Sequence, residues 1–255
     1  AAHPGIARAS EFYALGMIYE ARREWYHTSL QMSAEELRHA AALAHRLGWH
    51  DRAILTAARS GYLDDIALRF PMPFESIVMR YASMRDLPPA LIYGIIKAES
   101  AFMEDARSPA GALGLMQVMP ATGRETARRI GFRFRSSRQL LEAQHNITLG
   151  SAYLQQMLRR FEGNIAMAAA GYNAGPHRVQ AWRPDEDCLD AELWIEQIPF
   201  TETRRYARRA LFFLAMYEWR MAARVERIES RLAQVPPRRG RVAECRVEGG
   251  KTTTS

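Results

Sequence analysis

The chain has two cysteines, Cys188 and Cys245, in 255 residues. Two are too few for a disulfide framework and lack metal-site spacing, which leaves at most one disulfide. Lysine is as scarce. Lys97 and Lys251 are the only ones among 35 basic residues, so the positive charge is arginine, the side chain suited to bidentate contacts with carboxylates and phosphates. No apolar run approaches the ~20 residues needed to cross a bilayer, and Ala1 opens no charged-then-apolar leader. The chain therefore reads as soluble, with any export signal absent from it. Strand patterning is almost missing. Among the seven histidines no i, i+4 pair flanks a glutamate, and His39, His45 and His50 do not share a helix face, so neither a metal nor another cofactor is called for.

What is present is a chain that is 48% hydrophobic with a net charge of +7, long enough for one large domain or two modest ones. The arginines are scattered among 28 acidic residues. That interspersion fits a solvated helix surface and argues against a nucleic-acid partner, which needs a massed basic patch.

Helical signals run through the sequence. Ser10 to Leu30 supplies helical chain, and SAEE at Ser33–Glu36 is a capping box opening a helix that closes near Gly48. Asp51 starts another, stopped by Gly61. Together they predict antiparallel helical hairpins over residues 1–70, a superhelical linker. RFPMPF, residues 69–74, breaks the pattern with two prolines and marks a domain boundary. Helices are expected at 74–85, 88–102, 120–130, 145–161, 164–172, 190–197 and 201–233. From Gln234 the sequence QVPPRRGRVAECRVEGGKTTTS has no apolar period, which predicts a flexible tail over 234–255. The fold class is all-α.

Glu99 stands out within this frame. Ile92, Ile95 and Glu99 fall at i, i+3 and i+7, so the glutamate shares an apolar helix face. A carboxylate there must be paired or kept protonated by desolvation, which makes Glu99 an ion-pair member or a proton donor. The loop ARSPAGALG that follows has small residues that let backbone approach a ligand, with Ser108 adding a hydroxyl. LMQVMP then sets Gln117 among Leu115 and Met119. A cleft-facing glutamine suits an acetamido group or a sugar hydroxyl, while composition alone favours an ordinary loop packed by Leu115 and Met119. AMAAAGYNAGP ends a small-residue helix in Tyr172 and Asn173, where the phenol can bond a carboxyl such as Glu99 or serve as a core tyrosine. In IPFTETRRY, Thr201 caps the last helix. Glu202 suits either its dipole or a cleft.

The order AES, SPAGALGLMQVMP, AGYNAGP, IPFTETRRY resembles the soluble lytic transglycosylases, lysozyme-like enzymes that cleave peptidoglycan, over about residues 71–225. REWYHTSLQMSAEEL through GWHDRAI is similar to the helical region that precedes the catalytic domain in the larger members. The resemblance implies a goose-lysozyme-like catalytic domain at 71–233, with Glu99 as catalytic acid. It implies substrate contacts from Ser108, Gln117, Met119, Tyr172, Asn173 and Glu202. It further implies peptidoglycan glycan strands as partner and a periplasmic location. Two positions depart from the family pattern: Ala98 precedes the Glu–Ser pair where a polar residue is common, and His177 follows YNAGP where glycine is common.

Glycosidases commonly use two carboxylates, whereas here one is in place. The family scheme lets Glu99 act first as acid and then as base while the substrate's own C6 hydroxyl attacks C1. Two readings compete with it. One is a hydrolytic muramidase using Glu104, Asp105 or Glu202 as second acid; the other is a catalytically inactive helical glycan- or protein-binding scaffold.

Overall fold

The structure is a computed structural model that describes residues 3–222, 232–239 and 245. Its regular elements are helical. They are α1 (Pro4–Ala14), α2 (Ile18–Ser29), α3 (Ala34–Arg46), α4 (His50–Ser60), α5 (Ile66–Arg69), α6 (Glu75–Arg85), α7 (Pro89–Ser100) and α8 (Pro120–Arg129), then a 3-10 turn at Ser137–Leu141. After that turn come α9 (Ala143–Arg160), α10 (Ile165–Ala174), α11 (Pro176–Ala181), α12 (Ala191–Gln197) and α13 (Thr201–Ala222). Among the described residues the only β pairings are isolated bridges. The chain divides into two compact units, one of Ala1–Pro73 with Ala101–Met103, the other of Phe74–Ser100 with Glu104–Ser255.

In the first unit α1 packs on α2 and α3 on α4. Gly16, with φ of 74°, separates α1 from α2 where helical periodicity alone runs through from Ser10 to Leu30. The expected capping box is formed, with Ser33 and Glu36 bonded reciprocally. Alanines 9, 21, 40, 41, 44, 53 and 57 are buried around Trp25 and Trp49. Small residues let helices approach while the two indoles fill what remains. Trp25 Nε1 donates to Thr56 Oγ1 at 2.9 Å, so its one polar atom is satisfied.

In the second unit α7 is the hub. Ala90 to Lys97 are all buried, as expected of a helix that is apolar all round. Gly94 brings α7 against α13 so closely that a Cβ there would stand 3.1 Å from the backbone nitrogen of Leu214. Tyr93 and Tyr217 stack beside it, centroids 5.1 Å apart. α7 stops at Ser100, two residues short of expectation, because Ala101 and Phe102 turn left-handed with φ of 50° and 70°. α5, α11 and the 3-10 turn are too short to show periodicity in the sequence.

The segment expected as a flexible tail differs where it is described. Leu189 and Val235 exchange backbone hydrogen bonds of 2.9 and 2.7 Å, and Val235 is fully buried. Arg183 Nε donates to the Pro236 carbonyl at 3.0 Å, and Cys188 is disulfide-bonded to Cys245. Backbone bonds and a covalent link hold this stretch where side-chain periodicity gave no sign of order. The rest of 234–255 and residues 223–231 of the expected last helix lie outside the described residues.

Asn146 on α9 shows how a loop is fixed to this frame. Its Nδ2 donates to the carbonyls of Leu113 (2.8 Å) and Leu140 (2.7 Å), and its Oδ1 accepts from Met116 N (2.7 Å). Gly114, with φ of +73°, sits so close that a Cβ would collide with the Leu140 carbonyl and the Asn146 amide. Gly111, with φ of +90°, has open space around it. Gly111→Ala should therefore cost only the left-handed strain, about 1–2 kcal/mol. Gly114→Ala should cost at least about 1 kcal/mol more, because it also orphans buried hydrogen bonds. Urea unfolding of both variants checks the difference.

Candidate active site

Glu99 occupies the end of α7, where the buried helix face opens and exposure rises from the fully buried Ile92 and Ile95 to an intermediate value. Burial lifts its carboxyl from 4.5 to about 7. Tyr206 and Arg209 act against that rise, and the negative charge of Glu202 reinforces it. These three residues lie at i, i+4 and i+7 on α13, so one helix face carries the groups that set the proton affinity of Glu99. The Tyr206 hydroxyl is buried and meets no partner at full hydrogen-bond geometry among the described residues. It is a loose contact on the carboxyl rather than a tight clamp, which leaves desolvation in control.

Tyr172 was a candidate for bonding Glu99, and its hydroxyl goes elsewhere. It donates to the Met116 carbonyl at 2.9 Å. Met116 thus has its N–H on Asn146 and its C=O on Tyr172, so both backbone groups of this fully buried residue are satisfied. The loop between is tied by Leu113–Val118 backbone bonds of 3.1 and 3.0 Å. The next residue, Gln117, is held left-handed at φ of 46°. Its Nε2 donates to the carbonyls of Gly114 (2.8 Å) and Ala106 (3.2 Å), which leaves the side-chain oxygen as a free acceptor among the described residues. Asn173 is the complement: its Oδ1 accepts from buried Thr203 Oγ1 at 2.7 Å, leaving its amide N–H groups to donate.

Gln117, Met119, Tyr172 and Asn173 line one cavity of about 200 Å³ together with Tyr153 and Gly175. Met119 is 40% exposed there. Ser108 is not among the lining residues. Its Oγ accepts from Ala112 N at 3.0 Å and shapes the turn ahead of the clamped loop. Glu202 is exposed in the first turn of α13 and reaches the site through its charge. Glu104 and Asp105 are exposed in the loop after α7. Motif reading missed Tyr206, Arg209, Asn146 and Thr203. The i+4 and i+7 spacing from Glu202 was the available signal for the first two; the others act across the fold and leave none.

A larger cavity, about 730 Å³, lies in the first unit. Its one carboxylate, Glu36, is held below the usual range by the Ser33 backbone N–H that it caps, so it is fixed as an anion and is no proton donor.

The helical fold around a desolvated glutamate defines an all-α, lysozyme-like protein. Residues 76–195 match the transglycosylase SLT domain and residues 1–66 the soluble lytic murein transglycosylase L domain. The chain is a homologue of the soluble lytic murein transglycosylases. The Escherichia coli (strain K12) soluble lytic murein transglycosylase is 33% identical over 220 residues, 86% of this chain and 34% of that protein. A structure of an inactive mutant of the lytic transglycosylase Slt from Pseudomonas aeruginosa is 42% identical with a TM-score of 0.83, covering 87% of this chain and 36% of that one. A complex of the 70-kDa soluble lytic transglycosylase with bulgecin A is 32% identical with a TM-score of 0.79, covering 86% and 36%. The chain thus spans about a third of the length of these relatives.

Tyr206→Phe removes the strongest group opposing the rise of Glu99, so the midpoint of Glu99 should move above 7. A carboxyl 13C titration of Glu99 should show that move. Tyr172→Phe frees the buried Met116 carbonyl instead, and should lower stability by about 1–3 kcal/mol without moving the midpoint. Carboxyl titration and urea unfolding of the two variants separate these effects.

Proposed function

We propose that the protein is a peptidoglycan lytic transglycosylase. It cleaves the β-1,4 bond between N-acetylmuramic acid and N-acetylglucosamine without water and leaves a 1,6-anhydromuramic end. The observation that carries this reading is one carboxyl titrating near 7, which can serve as donor and then acceptor at neutral pH. Glu99 gives its proton to the glycosidic oxygen as the C1–O bond breaks, while the carbonyl oxygen of the 2-acetamido group closes on C1. The Glu99 carboxylate then takes the C6 hydroxyl proton as O6 bonds C1 and the acetamido oxygen leaves. The proton lost in the first step returns in the second.

In this reading the free oxygen of Gln117 and the free N–H groups of Asn173 accept from and donate to an acetamido group, a pairing an amide satisfies on both sides. Met119 supplies apolar wall. Tyr172 and Ser108 hold the loop that aims Gln117, and the charge of Glu202 favours positive charge developing at C1. Residues 71–233 are the catalytic domain, 1–70 the helical linker region, and the partner is glycan in the periplasm of a Gram-negative envelope. The names of the relatives support the substrate class. The proximity of Glu202 to Glu99 keeps one alternative in view, hydrolysis with Glu202 activating a water.

Sacculi digested with the protein should release muropeptides ending in 1,6-anhydromuramic acid, and Glu99→Gln should slow release at least ~100-fold while keeping the fold. Products one water heavier, with reducing ends, would establish hydrolysis instead. Near-normal turnover by Glu99→Gln would remove Glu99 from the chemistry.

A further inference from the structure

Phe200 stands half in solvent, 45% exposed, where the chain enters α13, two residues before Glu202. It is firmly placed. Its ring meets Trp182 edge to face, centroids 5.2 Å apart, and the Arg178 guanidinium lies over it at 5.1 Å. The surrounding backbone is bonded throughout. Arg178 Nη1 donates to the Ala174 carbonyl at 3.3 Å, Trp194 Nε1 to the Trp182 carbonyl at 2.8 Å, and Arg238 Nη2 to the Ala181 carbonyl at 2.8 Å. The described part of the C-terminal segment therefore holds the loop that carries Trp182.

This platform follows the cavity along the chain. Ala174 and Gly175, which line the cavity beside Tyr172 and Asn173, run directly into α11, and α11 carries Arg178. Exposed, Arg178 makes no ion pair among the described residues. A half-exposed aromatic ring beside a guanidinium that has no ion-pair partner among the described residues offers apolar surface and a positive charge together. Sugar rings present apolar C–H faces, and a guanidinium pairs with carboxylates in a fork geometry.

We propose that Phe200, Trp182 and Arg178 form a distal subsite for the glycan strand, with a sugar ring against the exposed part of Phe200 and a carboxylate of a muramyl residue on Arg178. The inference rests on the glycan-cleaving reading above. That carboxylate comes either from the lactyl group itself or from a stem peptide attached to it, and the two sources share the same recognition chemistry.

The test is calorimetric binding in a Glu99→Gln background, which prevents turnover. Three hexasaccharides are compared: a neutral one of N-acetylglucosamine, one alternating with N-acetylmuramic acid with free lactyl groups, and the same one carrying stem peptides. Phe200→Ala should weaken all three about tenfold, and Phe200→Tyr should restore them. Phe200→Leu serves if the alanine variant unfolds, since it keeps bulk without the flat ring. Arg178→Gln should weaken only the anionic hexasaccharides, by about fivefold, with the loss shrinking at high salt; whichever anionic form is affected names the source of the carboxylate. Unchanged affinity in the Phe200 variants, or equal loss for neutral and anionic glycans in Arg178→Gln, would overturn the subsite while leaving the activity intact. Failure of the parent to bind any glycan, with no products from sacculi, would instead remove the functional reading and the subsite with it.

Discussion

Desolvation of a single carboxyl is the constraint around which the second unit is arranged. To raise Glu99 from 4.5 to about 7 is to make its ionised form about 3 kcal/mol less favourable than in water. The folded state bears that cost whenever the pH exceeds the midpoint. The native protein binds the proton more tightly than the unfolded chain, so this residue's contribution to stability is fully present below about 4.5 and is lost as the pH rises through about 7. A helix buried on every side supplies the environment. α7 is enclosed because Gly94 admits the backbone of α13 and because Ile92, Ile95 and Ile96 are fully buried.

The cavity lined by Gln117, Tyr172 and Asn173 is held in shape by hydrogen bonds. One residue, Met116, has its N–H and C=O taken by side chains from two helices, Asn146 on α9 and Tyr172 on α10. Gly150 permits that arrangement, since a Cβ there would stand 2.5 Å from the Met116 sulfur. The loop is thereby held on both sides, and the strained backbone of Gln117 is over-determined by its neighbours. With one face of its amide used for structure, Gln117 has an oxygen left to act on a ligand. Asn173, tied to Thr203 through its oxygen, has the opposite polarity left. The pair offers an acceptor and amide N–H donors to one cavity.

Sequence carried much of this architecture because its signals were local. Capping at Ser33, the stop at Gly61, the proline break at 69–74 and the periodicity of α7, α9 and α13 depend on residues within a turn or two of each other, and the structure has these features. The convergence of Gln117, Met119, Tyr172 and Asn173 on one cavity was legible only from the order of motifs, since no spacing rule brings residues 55 positions apart together. What escaped is non-local. Tyr172 stands in the sequence as either a partner for Glu99 or a core tyrosine, and a linear pattern cannot show that the Met116 carbonyl takes its hydroxyl. The segment after Gln234 lacked periodicity, yet backbone pairing with Leu189 and a disulfide to Cys188 need none.

The account turns on the proton that Glu99 holds at neutral pH. The most direct measurement is the side-chain carboxyl 13C shift of Glu99 in selectively labelled protein, followed from pH 3 to pH 9 and assigned by comparison with Glu99→Gln. One resonance is expected with its midpoint near 7, standing apart from the other glutamates. A Glu99 midpoint at the ordinary value near 4.5 would mean that the carboxyl is already ionised at neutral pH, and a single-acid mechanism would not stand.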